Sequence, residues 1–194
     1  MSEVDKKLKK IKKKVVNCEK CSLHKERNMP VVGEGDHQAN IMFVGEAPGA
    51  EEDKTGRPFC GKAGNILNNL LEEIDLEREE VYIANVLKCR PPNNRDPKQE
   101  EIEACTPYLE QQIEIIEPEV IVGLGNFGTK FILSKYNLEG KIEGISQIHG
   151  EIFSANTLFG DIKIVPMYHT AVATYNPNMI DTLKEDFEIL EQFK

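Results

Sequence analysis

No apolar run in this sequence approaches the roughly 20 residues that a membrane span needs, so nothing in it reads as a transmembrane segment. The N-terminal stretch "MSEVDKKLKKIKKKVV" is basic but lacks the continuous apolar region and small-residue cleavage site of a secretory signal, and the expected address is intracellular, in the cytoplasm. Internal repeats, low-complexity tracts and an obvious linker are also missing, so the 194 residues are expected to form a single domain, 1–194. The five cysteines lack an even partner count, which speaks against a disulfide framework in a chain without a secretory signal and leaves metal binding as the better use of them. Positive charge is short: 24 Lys and Arg stand against 33 Asp and Glu, a net charge of −9. Alone, that argues against a polyanionic partner, because nucleic-acid affinity is built largely from cations neutralising phosphates. It is a weak veto, since the seven lysines between Lys6 and Lys14 are separated from acids concentrated in 72–80, 100–119 and the C-terminal segment. The lysine run reads equally as a solvated helix face and as a phosphate-facing one.

What is present is an alternation. Val4, Leu8, Ile11 and Val15 recur at helical spacing, predicting a basic amphipathic helix over 3–16 that leads into "NCEKCSL". Four apolar, β-branched-rich runs follow at 40–45, 81–88, 120–125 and 162–169, with helical patterns between and after them at 65–76, 98–116, 126–136 and 178–193. Asp96-Pro97 is a good cap-and-first-turn pair for the second of these helices. Residues 150–161 read as an antiparallel excursion, extended on each side of 156–160. Strands alternating with helices predict a three-layer α/β/α fold around a central, mainly parallel four-stranded sheet with right-handed crossovers. Ligands of such sheets bind at the carboxyl ends of the strands, where Glu46, the Gly123–Gly125 turn and His169 fall.

One of those ends runs into "VGEAPGAEEDKTGRPFCGKAG", with five glycines, two prolines and four carboxylates in 21 residues. Gly45, Pro48 and Gly49 let the backbone approach a ligand closely, and amides aimed there can stabilise developing negative charge; a tight packing turn is the plainer alternative. No Gly-Lys-Ser/Thr ending follows, which excludes a P-loop, and the glycine spacing is not that of a dinucleotide fingerprint. Phe59 has no period that would bury it. Its ring can stack on a planar ligand, although a loop phenylalanine more often plugs a core. Asn85, an amide inside "VYIANVL", matches the donor and acceptor edge of a base or else braces the backbone. His169 is a site residue or a satisfied core histidine.

Cys18-x2-Cys21 with Cys89-x15-Cys105 supplies four thiolates, whereas Cys60 lies outside this set. A structural zinc site usually draws both halves from Cys-x2-Cys knuckles; the wide second half suits an iron–sulfur cluster at least as well, and spacing leaves both open.

Taken together, "CEKCSLHKER", "GEAPGAEEDKTGRPFCGKAG", "NVLKCRPPNNRDP" with Cys105 following, and "YHTAVATYNP" resemble the family 4 uracil-DNA glycosylases, from about Cys18 to the C-terminus. The resemblance implies an α/β/α fold, a structural [4Fe–4S] cluster on Cys18, Cys21, Cys89 and Cys105, and excision of uracil from single- or double-stranded DNA by a monomer without a catalytic metal. It implies that Phe59 stacks on the flipped uracil, that Asn85 pairs with its O4 and N3–H edge, and that His169 and the Ala47 N–H hold charge at O2. It implies, too, that Glu46 orients water and stabilises the sugar cation, and that Glu52 lies near uracil C5 and excludes the thymine methyl. A sliding-clamp partner is not readable from these residues.

The sequence departs from that family where a Leu-Leu-Arg wedge is usual: Ala173, Thr174 and Tyr175 stand there, so duplex penetration is expected to weaken or to use Tyr175. Cys60 replaces an aliphatic residue. Related enzymes that crosslink to DNA carry Gln at the position of Ala47 and a basic insert ending in histidine; His149 sits in no such insert, which excludes covalent capture. Arg90, Arg95, Lys62 and the N-terminal lysines are the expected phosphate contacts. The competing reading is a non-catalytic iron–sulfur or zinc nucleic-acid-binding module of the same fold.

Overall fold

The computed structural model describes residues 2–157 and 160–194. In chain order the helices are α1 (Glu3–Val16), α2 (Ala50–Thr55), α3 (Lys62–Glu73), α4 (Gln99–Ile116), α5 (Gly125–Lys135), α6 (Ile145–Ile148), α7 (Val172–Tyr175) and α8 (Met179–Glu188). The strands are β1 (Glu34–Gly35), β2 (Ile41–Gly45), β3 (Tyr82–Asn85), β4 (Val120–Leu124), β5 (Phe153–Thr157) and β6 (Gly160–Met167). They form one sheet in the order β1-β3-β2-β4-β6-β5. The four apolar runs make its parallel centre, β3-β2-β4-β6, and β1 and β5 pair antiparallel at the two edges. The expected four-stranded sheet is therefore six-stranded. β1 is too short to leave a periodic signal, and β5 is one arm of the anticipated excursion, with Asn156 opposite Asp161. Of the stretch 156–160 expected to turn, 156, 157 and 160 lie in the two strands, and 158 and 159 are outside the described residues.

Because helices cover both faces, the central strands are apolar on both sides. Met42, Val44, Ala84 and Ile121 pack with Leu8, Leu109 and Ile132 of α1, α4 and α5. Ile41, Phe43, Ile83 and Val122 pack with Leu67 and Leu71 of α3 and Leu183 and Phe187 of α8, where the Phe43 and Phe187 rings stack 5.7 Å apart. The expected N-terminal helix opens on a capping box: the Asp5 N–H donates to Ser2 Oγ and the Ser2 N–H to the Asp5 carboxylate.

Several boundaries move. β3 ends at Asn85, so this residue is the last of its strand and not an interior one. The next two amides still donate to β2's exit, Val86 to Gly45 and Leu87 to Glu46, both at 2.9 Å. The α4 cap is Lys98, two residues beyond Asp96, because Glu101 accepts from the Lys98 N–H (2.9 Å). α3 starts at Lys62, three residues earlier than its apolar pattern suggests, and the last expected helix is α8 followed by a 3-10 turn, Ile189–Phe193.

Candidate active site

Register places the carboxyl ends of the central strands side by side. Gly45 lies opposite Asn85, Val44 opposite Gly123, and Leu124 opposite Met167. The residues that leave these ends line one open cleft of about 440 Å³, within the range usual for small-molecule sites (~300–1,000 Å³). Glu46, Ala47, Glu52, Phe59, Asn85 and His169 all line it, and Tyr175 stands at its rim. A larger hollow at the opposite ends of the strands is lined by Glu114, Glu117, Glu119 and Asp161 and holds none of these residues.

Asn85 is buried at the cleft floor, and its Oδ1 has no hydrogen-bond partner. A buried acceptor left unpaired is costly, so an arrangement that keeps one aimed into a cleft is poised for a donor from outside. Gly45 makes room for it: a Cβ there would run into Asn85 Oδ1 and the Phe59 ring.

His169 follows β6 by two residues, and its Nδ1 accepts from the Ala171 N–H at 3.1 Å. In the neutral imidazole that fixes the proton on Nε2. Burial pushes the ring's pKa down to about 4, an effect that the Glu52 carboxylate partly offsets. At neutral pH His169 is therefore a neutral donor, not a cation. Gly125, at φ +76, opens α5 against it, and a side chain there would meet the His169 Cβ.

Phe59 is 5% exposed and adopts a left-handed φ of +46, uncommon for a residue with a side chain. Its ring lies on His169, with centroids 5.3 Å apart and planes at 24°. The clamp that holds this conformation escaped sequence reading. Arg78 donates from Nη1 to the Phe59 carbonyl (3.2 Å) and Asn68 Oδ1 (2.8 Å), and from Nη2 to the Pro58 carbonyl and Glu34 Oε1 (2.8 Å). Glu34 comes from β1, 44 residues away, and no local pattern pairs the two.

Glu52 braces the same loop. Its Oε1 accepts from the Cys60 and Gly61 amides at 2.9 and 3.0 Å, supplying the side-chain cap that α3 otherwise lacks. Glu46 is half-buried; desolvation, with Asp96 adding its charge, raises its pKa above the ordinary carboxylate value.

The residues expected at the DNA-facing surface differ in how freely they present their charge. Arg95 is not a free cation: it forks onto the fully buried Glu101, at 2.9 and 2.6 Å. Arg90 donates to Asn94 (2.7 Å), while Lys62 is exposed. Where the wedge leucines are missing, Ala173 is only 7% exposed within the α3–α8 core, and Thr174 bonds back to the Ala171 carbonyl. Tyr175, by contrast, is 87% exposed.

Cys18, Cys21, Cys89 and Cys105 line a second, narrow pocket walled by Val15, Leu23 and Tyr108. Cys18 and Cys21 follow the end of α1, Cys89 follows β3, and Cys105 lies within α4, not at a loop end. Arg27 Nη1 donates to Cys89 Sγ and the Lys88 N–H to Cys105 Sγ, both at 3.2 Å. Burial pushes the Cys105 thiol up to about 12 and raises Cys21 and Cys89. Among the described residues no three His, Cys, Asp or Glu side chains form a group ready to hold one metal ion. The shared pocket, not a formed centre, is what the fold assembles.

Residues 32–194 match the model of the uracil DNA glycosylase superfamily. The chain is 49% identical over 186 residues to the type-4 uracil-DNA glycosylase of Sulfurisphaera tokodaii, a match covering 95% of this chain and 84% of that protein. It is 45% identical over 178 residues to that of Archaeoglobus fulgidus (92% and 88%) and 46% identical over 166 residues to that of Thermotoga maritima (86% and 82%). No helix among the described residues is long and apolar enough to cross a membrane.

Proposed function

Because the chain belongs to the uracil DNA glycosylase superfamily, we propose that it is a DNA-repair hydrolase that removes uracil from DNA by cleaving the N-glycosyl bond, with the cleft at the strand ends as its active site. The observation that carries the assignment of the cleft is the unpartnered, buried Asn85 Oδ1. Uracil presents a donor at N3 and an acceptor at O4, which the two ends of one amide satisfy together. Cytosine presents the reverse and leaves the amide mismatched. A base inside a duplex cannot reach such a floor, so the nucleotide must be swung out. Exposed at the rim, Tyr175 is the ring that fills the vacated stack.

As the glycosidic bond lengthens, positive charge grows on the sugar and negative charge on the departing base. The neutral imidazole of His169 donates from Nε2 to uracil O2, together with the Ala47 N–H. A neutral donor suits this role, because it stabilises the anion without giving up its proton. Glu46, whose pKa burial raises, orients the attacking water and faces the sugar cation as a carboxylate. Phe59 is the apolar wall against which the base rests. Glu52 acts on the site mainly through the loop that it braces.

The four thiols fit a [4Fe–4S] cluster by donor type and by their common pocket: soft sulfur ligands, N–H donors on two of them, and walls that keep water away. Ligation would take them as thiolates, so binding would release their protons. When bound, the cluster supplies cross-linking of α1, the β3 exit and α4, and the hydrolytic steps run through the cleft residues.

The test is release of uracil from an oligonucleotide, read by alkaline strand cleavage under single-turnover conditions. The parent should cut and Asn85→Ala should lose at least about 100-fold, in line with removing a key donor or acceptor from a reacting site. Undiminished excision by Asn85→Ala would remove the base-reading role; binding of uracil DNA without any base release would favour the non-catalytic module.

A further inference from the structure

Lys88 is the only lysine among the described residues that is buried, at 1% exposure. An ammonium is expensive to bury unless its protons are used, and here they are directed at two acceptors. Nζ donates to the Asn85 main-chain carbonyl at 3.0 Å and to Gln112 Oε1 at 2.7 Å. Gln112, itself fully buried on α4, passes its own protons to the Val32 carbonyl and the Tyr82 hydroxyl, both at 2.9 Å. The backbone of Lys88 is engaged as well: its N–H lies on Cys105 Sγ, and its carbonyl accepts from the Val31 N–H at 2.7 Å.

One residue thus bonds a thiol of the second pocket with its main chain and the strand end carrying Asn85 with its side chain. The Asn85 Oδ1 has no hydrogen bond of its own, so its position is set by its backbone and by the close approach of Gly45. Beyond Asn85 the turn is out of the sheet, held by the Val86 and Leu87 amides and by this ammonium.

We propose that Lys88 is a positioning residue for base recognition: its ammonium pins the Asn85 carbonyl to α4 and thereby holds the Asn85 amide in reading position, making the base pocket answer to the packing around Cys105. The inference rests on the base-reading role of Asn85. Lys88 itself touches neither base nor sugar.

The experiment uses the full-length, iron-loaded protein and four chains: parent, Lys88→Met, Gln112→Leu and Asn85→Ala. Iron per chain and the visible spectrum are recorded for each. Inhibition of excision by free uracil is then measured beside binding to DNA that carries an abasic site, which offers no base to read. Lys88→Met should keep its iron and its abasic-DNA affinity, while its inhibition constant for uracil weakens about tenfold, the loss of one well-aligned hydrogen bond to the base. Gln112→Leu, which touches no thiol, should shift it in the same direction by about threefold. A weakened uracil constant with iron retained in either variant supports the proposal. Parent-like uracil inhibition in both variants, or weakening seen only where iron is lost, overturns it when Asn85→Ala is itself impaired. If Asn85→Ala inhibits like the parent, the base-reading assignment fails and takes this inference with it.

Discussion

The two pockets of this molecule lie a few residues apart along the β3 exit and are built on opposite terms. The cleft is open, gathers its side chains from the ends of three different strands and the loops that follow, and leaves the buried side-chain oxygen of Asn85 unpaired. The thiol pocket is narrow and mostly apolar, and two of its sulfurs already receive N–H donors. A site that must take up and release its ligand keeps its polar groups waiting, at a cost to stability; a site that holds something permanently satisfies what it can and gains stability from occupancy. Changes to the thiol pocket should therefore read out as folding, and changes to the cleft as rate.

The largest effect expected is on the thiol side. Cys105→Ser should remove most of the stability of the iron-loaded protein, on the order of the 5–15 kcal/mol that a domain has in total, seen as loss of a cooperative thermal transition. A variant melting within a few degrees of the parent would erase the contrast between the pockets. Next is His169→Ala, which should slow single-turnover excision about 10²–10³-fold, the usual penalty for deleting a donor to a developing anion, with little change in Tm.

Arg78→Met should do some of both, because the clamp belongs to the fold and to the Phe59 wall. Its loss leaves Glu34 ionised and under-paired, for roughly 3 kcal/mol at the lower end of such breakages, since both side chains are partly solvated. Excision should fall about tenfold as the left-handed Phe59 relaxes. Calorimetry and kinetics on the same preparation separate the two, and unchanged kinetics would confine the clamp to folding.

Acid should sharpen the comparison. Excision should decline as pH falls through the Glu46 carboxylate, whose pKa is raised above 4.5, and Glu46→Gln should flatten that limb while lowering the plateau. His169 adds no limb near 6.5, because it stays neutral down to about 4. It does affect stability: the unfolded chain takes up a proton near 6.5 and the folded one only near 4, so its contribution is present above 6.5 and is lost as pH falls across that window. A rate profile breaking at the ordinary histidine value would contradict the neutral-donor assignment. The smallest effect is expected of Tyr175→Ala, a few-fold loss on duplex uracil and none on single strands, measured as a ratio of the two rates. Equal losses on both would exclude a wedge.

The comparison also shows what a linear reading reaches. Apolar runs of buried strands announce themselves because both faces are covered, so all four central strands were legible, as was the helix of Leu8, Ile11 and Val15. Two-residue β1 carries no period, yet it delivers Glu34 to Arg78. Of the six cleft residues, Glu46, Phe59, Asn85 and His169 could be singled out because each lies at a strand end or in a glycine-rich loop, whereas Ala47 and Glu52 were named only through the family resemblance. Arg95 was named as a phosphate contact, yet α4 brings Glu101 beneath it, and the position of Ala173, which lacks the usual wedge leucine, is one that α3 and α8 close over. Exposure is a property of the packed chain, and charge in a sequence says nothing of whether it is already paired.

By itself the sequence determined the alternation of strands and helices, the four thiols, and the chemistry available at the strand ends, because period, spacing and residue type are local properties. Only the tertiary structure decided that His169 is neutral with its proton on Nε2, that Phe59 is held left-handed by an arginine from another segment, that Asn85 keeps an unpaired oxygen, and that a buried lysine joins it to the thiol pocket. Each depends on desolvation or on a hydrogen bond between segments distant in the chain, and those terms come into being only when the segments are packed together.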